Sequence, residues 1–106
     1  MKTPYKEPAS NIRAVHWKNA PKPDPQLAER DPKEYLGAWI KKTFFGPDGA
    51  REHMWVHVDG ITPEGHLTGL LDNTPMFTPF SCGDRVECPM AVIEAVFRRP
   101  LMLPPA

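Results

Sequence analysis

Proline places the strongest limit on this chain: 14 of its 106 residues are proline, against an average near 5%. Each one removes a backbone donor, fixes φ and biases its predecessor towards extended backbone. The excess predicts many turns and loosely held ends. Prolines at 4, 8, 21, 23 and 25 mark residues 1–30 as a proline-rich arm. Within it only the stretch Ile12 to Trp17 suits a short strand, and Pro21 to Pro25 reads as an extended linker. Residues 98–106 carry three more prolines and read as a loosely held tail. The folding unit is therefore expected over residues 31–97, a single domain with one modest core.

Within that unit the spacing predicts one helix. Asp31 suits an N-cap, Pro32 the first helical position, and Glu34 the place of a capping acid. Leu36, Trp39, Ile40 and Phe44 follow at helical spacing, Lys41 and Lys42 suit the last turn, and Gly46-Pro47 ends the run. A short sheet is expected after it. Met54, Val56 and Val58 alternate with Trp55 and His57, which places the two sets on opposite faces. Thr62 to Gly65 reads as a turn, with His66 to Leu71 returning as the partner strand. A four-residue turn puts Leu67 and Leu71 beside Val56 and Val58, whereas a three-residue loop with a bulge at Gly65 puts Leu70 there. Met76 to Phe80 suits a short edge strand, Arg85 to Cys88 a further strand, and Ala91 to Phe97 a last strand or a single helical turn. Together these predict an α+β fold: one N-terminal helix packed on a small, strongly bent antiparallel β meander, SH3-like or half-barrel in kind.

Charge and composition narrow the function. Thirteen basic and 13 acidic residues give a formal net charge of zero. Nucleic-acid binders draw affinity from neutralising phosphate, so the neutral balance argues against DNA or RNA as the main partner. No apolar signal segment opens the chain and no run is long enough to span a membrane. The expectation is a soluble cytoplasmic protein. Cys82 and Cys88 then read as reduced thiols, and their spacing fits no zinc site.

Three motifs carry a resemblance. Glu52-His53-Met54-Trp55-Val56-His57-Val58 comes first, then Gly69-Leu70-Leu71-Asp72-Asn73-Thr74-Pro75, then Gly83-Asp84-Arg85-Val86 ahead of Ile93. In order and spacing the set resembles DUF2314, an uncharacterised bacterial family, over residues 51–94. It departs where Ala95-Val96 follows Ile93-Glu94 in place of Asp-Trp. The resemblance implies a compact bacterial module and brings no catalytic residues with it.

The residues themselves point to no chemistry. His53 and His57 are four apart, but on a strand that separates them by roughly 13 Å, too far to share an ion. Glu52, Asp59, Asp72 and Asp84 stand near turns, where acids serve the backbone. No phosphate-binding loop, dinucleotide fingerprint or nucleophile elbow occurs. Cys82 near Arg85 could be a reactive thiol, but a plain turn cysteine accounts for it better. No metal, cofactor or catalytic group is expected. What remains is surface recognition. A helix over the Met54 face leaves Trp55 and His57 outward, beside Asn73 and Pro75, as a face for another protein or a second copy. The competing reading packs Trp55 under the arm against Trp17. An alternative function is a nucleic-acid-contacting small barrel, using Arg13, Lys18, Lys22, Arg98 and Arg99.

Overall fold

The computed structural model describes residues 21–98. One α-helical turn, α1 (Pro25–Ala28), precedes five strands: β1 (Trp39–Phe45), β2 (Arg51–Ile61), β3 (Leu67–Leu71), β4 (Arg85–Cys88) and β5 (Ala95–Phe97). They form one antiparallel sheet in the order β4-β3-β2-β1-β5. Three 3-10 turns, Pro32–Tyr35, Pro47–Gly49 and Met90–Val92, complete the regular structure of the described residues.

This overturns the expected α+β fold, because the predicted helix is not there. Asp31 does cap, its carboxylate accepting from the Lys33 amide at 3.0 Å. What it caps is a four-residue 3-10 turn. Gly37, at φ +81°, then turns the chain into β1. The helical spacing of Leu36, Trp39, Ile40 and Phe44 is a coincidence of period. In β1, Ile40, Lys42 and Phe44 face inward and their neighbours outward. Lys42 hid that alternation: it is a charged residue at an inward position, 5% exposed, with its ammonium 3.9 Å from the Phe44 ring centre. Aromatic and β-branched residues dominate the run, and they favour a strand. Expected strands at β2, β3 and β4 are present, and 91–97 holds both a 3-10 turn and a strand. Residues 76–80 form no strand.

The inner sheet face carries the core. Ile40, Phe44, Met54, Val56, Val58, Leu67, Leu71, Val86 and Cys88 pack together there, closed over by Tyr35, Phe80 and Ile93. Phe80 meets Phe44 edge-on at 4.9 Å. Tyr35 donates its hydroxyl to the Leu27 carbonyl at 2.6 Å, and the Asp24 amide donates to the Ile93 carbonyl at 2.9 Å. These bonds fasten α1 beneath the sheet. The expected strand at Ile12 to Trp17, and any packing of Trp17 on Trp55, lie outside the described residues.

The hairpin between β2 and β3 resolves the open register. Thr62 pairs with His66 through its amide at 2.8 Å, and Gly65 takes φ +85°. That is the three-residue loop, yet Leu67 and Leu71 are buried and Leu70 is exposed. A β-bulge between Val58 and Gly60 supplies the missing residue: Ile61 pairs with Leu67, Gly60 with Thr68, and then Val58 with Gly69. One inserted residue reverses the facing of everything beyond it. The same bulge brings the strands into close approach. A Cβ on Gly69 would lie 2.2 Å from the His57 carbonyl oxygen, where no side chain fits. Gly69→Ala is expected to destabilise the protein by about 3 kcal/mol, the scale of an overpacked core. Chemical denaturation checks this; an unchanged midpoint would show that the strands can separate freely.

Candidate functional site

The outer face of β1 and β2 is a row of cross-strand pairs. The register sets Trp39 opposite His57, Lys41 opposite Trp55, Thr43 opposite His53 and Phe45 opposite Arg51. Side chains directly opposite on one face touch, and all four pairs do. Trp39 stacks on His57 with ring centres 4.1 Å apart and planes 5° from parallel. The Lys41 ammonium lies 5.5 Å from the Trp55 ring centre, and the Arg51 guanidinium 5.6 Å from Phe45. Thr43 and His53 are hydrogen-bonded at 3.0 Å.

β5 adds a wall to this row. It pairs with β1 so that Phe97 stands opposite Trp39. The Phe97 ring is 6.0 Å from Trp39 at 59° and 6.3 Å from Trp55 at 66°. Between them opens a groove of about 350 Å³ lined by Trp39, Trp55, Phe97 and Asp72. Phe97 is 50% exposed, and both tryptophans are half-buried. The Trp39 indole N–H donates to Asp72 Oδ2 at 2.7 Å, which fixes the ring and the carboxylate together.

What holds β5 there is buried polar chemistry. Glu94, just before the strand, accepts from His53 Nδ1 at 2.8 Å and from the Thr43 hydroxyl. The His53 and Glu94 side chains are only 5% and 1% exposed. The Glu94 amide also donates to the Lys41 carbonyl at 2.8 Å. With both ring and carboxylate enclosed, this trio is a fastening for the strand rather than an array open to substrate.

The connection from β3 to β4 forms the other rim. The Asp72 amide donates to the Trp55 carbonyl at 2.9 Å, and Asn73 Oδ1 accepts from the Trp55 amide at 2.6 Å. Farther along, the Glu52 carboxylate accepts from the amides of Met76, Phe77 and Thr78 at 2.8, 2.7 and 2.7 Å. Burial of the Glu52 carboxyl is the largest single influence and opposes ionisation. The amide donors together outweigh it and hold its pKa below the ordinary range.

Of the residues expected at a binding face, Trp55 and His57 share the outer surface, but only Trp55 lines the groove. Asn73 turns its side chain to the backbone, so it positions the rim, and Pro75 stands half-buried in the same loop. Sequence reasoning missed Trp39, Phe97 and Asp72. A period-two reading of residues 39–45 would have set Trp39 on the outer face with Lys41. His66 is paired with Glu87 at 2.7 Å, and Arg85 forks onto Asp59 at 2.9 and 2.8 Å rather than serving Cys82. No group of three or more metal-ligating side chains occurs among the described residues.

Two measurements test this construction. Glu94→Ala is expected to cost about 3 kcal/mol, as when one partner of a buried pair is removed. Denaturant unfolding would read it, and a change under about 0.5 kcal/mol, the size of a surface effect, would contradict the fastening. For Glu52, a folded pKa below the unfolded one means stabilisation above the unfolded value, near 4.3. It is lost as pH falls through the folded pKa. The stability gap between the wild type and Glu52→Gln is therefore expected to be full at pH 7 and to shrink only below about pH 4. A gap independent of pH would refute the ionised clamp. In comparisons with known proteins, the chain matches no protein-family model, no curated protein and no solved structure.

Proposed function

We propose that this chain is a non-enzymatic protein-interaction module whose partner seats on the outer face of β1, β2 and β5. The observation that carries the reading is the groove between Trp39, Trp55 and Phe97. Three large aromatic surfaces stand partly open on the sheet, rimmed by Asp72 and a hydrogen-bonded loop. Burial of aromatic side chains dominates the energy of protein interfaces, and such anchors sit within polar rims. The described ionisable clusters are committed to fastening or surface pairing, which supports binding over catalysis.

The motifs resembling DUF2314 fit this reading as a scaffold. Glu52 and Asn73 tie the rim loop to β2, and Gly69 admits the close strand approach. Cys82 is exposed and Cys88 buried, with no disulfide between them, which suits a reducing, cytoplasmic setting. Among the described residues no helix is long and apolar enough to cross a membrane.

The test is capture from cell extract by the full chain, with Trp55→Ala and Phe97→Ala compared at matched stability. A protein partner retained by the wild type and lost by both variants is the expected outcome. Capture of nucleic acid alone, falling steeply with salt and indifferent to Trp55, would replace this reading.

A further inference from the structure

Resting on the groove as the binding face, the geometry points to a specific occupant: the alkylated ammonium group of a methylated lysine on the partner. Two independent features select a cation. An aromatic face carries the negative end of the ring quadrupole and attracts positive charge within about 6 Å of its centre. Here three such rings surround one space, with Phe97 set at 59° and 66° to the two tryptophans. Phe97 is thus inclined to both tryptophans rather than stacked on either. The fourth lining residue is Asp72, the one charged group among the four, and its charge is negative.

The chemistry of the walls then distinguishes among cations. A primary ammonium needs hydrogen-bond acceptors to replace lost water. Asp72 has one oxygen committed to the Trp39 indole, and the other lining residues among those described are aromatic. A methylated ammonium asks for few acceptors or none, and its methyl groups bury apolar surface against the rings. The protein already shows the attraction within itself, since the Lys41 ammonium lies 5.5 Å from the Trp55 centre. Lys41 is also a like charge beside the groove, so it weakens the site for any incoming cation.

The test follows tryptophan indole N–H resonances and fluorescence of the full chain. Ligands are a short peptide with trimethyllysine, the same peptide unmodified, tetramethylammonium chloride, and a peptide with a neutral tert-butyl isostere of trimethyllysine. The trimethyllysine peptide is expected to bind saturably, about tenfold tighter than the neutral isostere, the range of a desolvated cation–π contact. Phe97→Ala should weaken it about tenfold. Asp72→Asn keeps an acceptor for the indole and removes the charge, so it should weaken binding severalfold. Lys41→Ala should strengthen it severalfold. Equal binding of charged and neutral peptides would overturn the inference and leave the aromatic docking face intact. Tighter binding of free tetramethylammonium than of the peptide would overturn the peptide source. Loss of extract capture in Trp55→Ala with no response to any cation would likewise remove the cation while sparing the docking face.

Discussion

Side chains alternate across a strand, so a single sheet gains one buried face only if every strand keeps the same phase. In this protein that phase is set at Asp59, where β2 carries one residue more than β3 can match. Without the bulge, the three-residue loop at Pro63 to Gly65 would turn Leu70 inward and Leu67 and Leu71 out. With it, β3 delivers two leucines to the core and β4 follows with Val86 and Cys88. The requirement reaches into the backbone itself: Gly69 has room for no side chain against the His57 carbonyl. Asp59 is then held by the Arg85 guanidinium, whose hydrogen bonds keep its carboxyl below the usual range.

Because the inner face is complete without them, Trp39, Trp55 and Phe97 are left on the outer one. A chain of this size has few ways to cover a second face, and here polar and charged partners divide it. Arg51 and Lys41 lie over aromatic rings, His57 stacks on Trp39, and Thr43, His53 and Glu94 bond beneath β5. The groove lies beside these pairings, where Phe97 and the two tryptophans leave a space between them among the described residues.

How much of this the sequence discloses depends on how local the governing physics is. Alternation in Met54 to Val58 is local, and it gives the correct inward set. Turn residues Gly65 and Gly83 are local, and both take positive φ where a turn is expected. The strand at Trp39–Phe45 is masked because Lys42, a charged residue, occupies a core position, its ammonium over the ring of Phe44 two residues along the same strand. The bulge is masked because Asp59 and Gly60 carry no residue-level sign that distinguishes a bulge from a turn. The groove needs residues from 39, 55, 72 and 97, and those meet only once strand order is known. Trp55 and His57 could be placed on one face; the wall beside them could not.

Phe97 owes its place to a strand of three residues whose hold on β1 includes the enclosed Glu94 trio. Short ladders contribute little cooperativity, and segments with few buried apolar contacts open at lower free energy than the whole domain. Ala95, Val96 and Phe97 are all at least partly exposed. The groove therefore has one wall built into the central sheet and one carried on a strand that, among the described residues, stands at the edge. Opening of β5 would remove the Phe97 wall without breaking any ladder between β1 and β4.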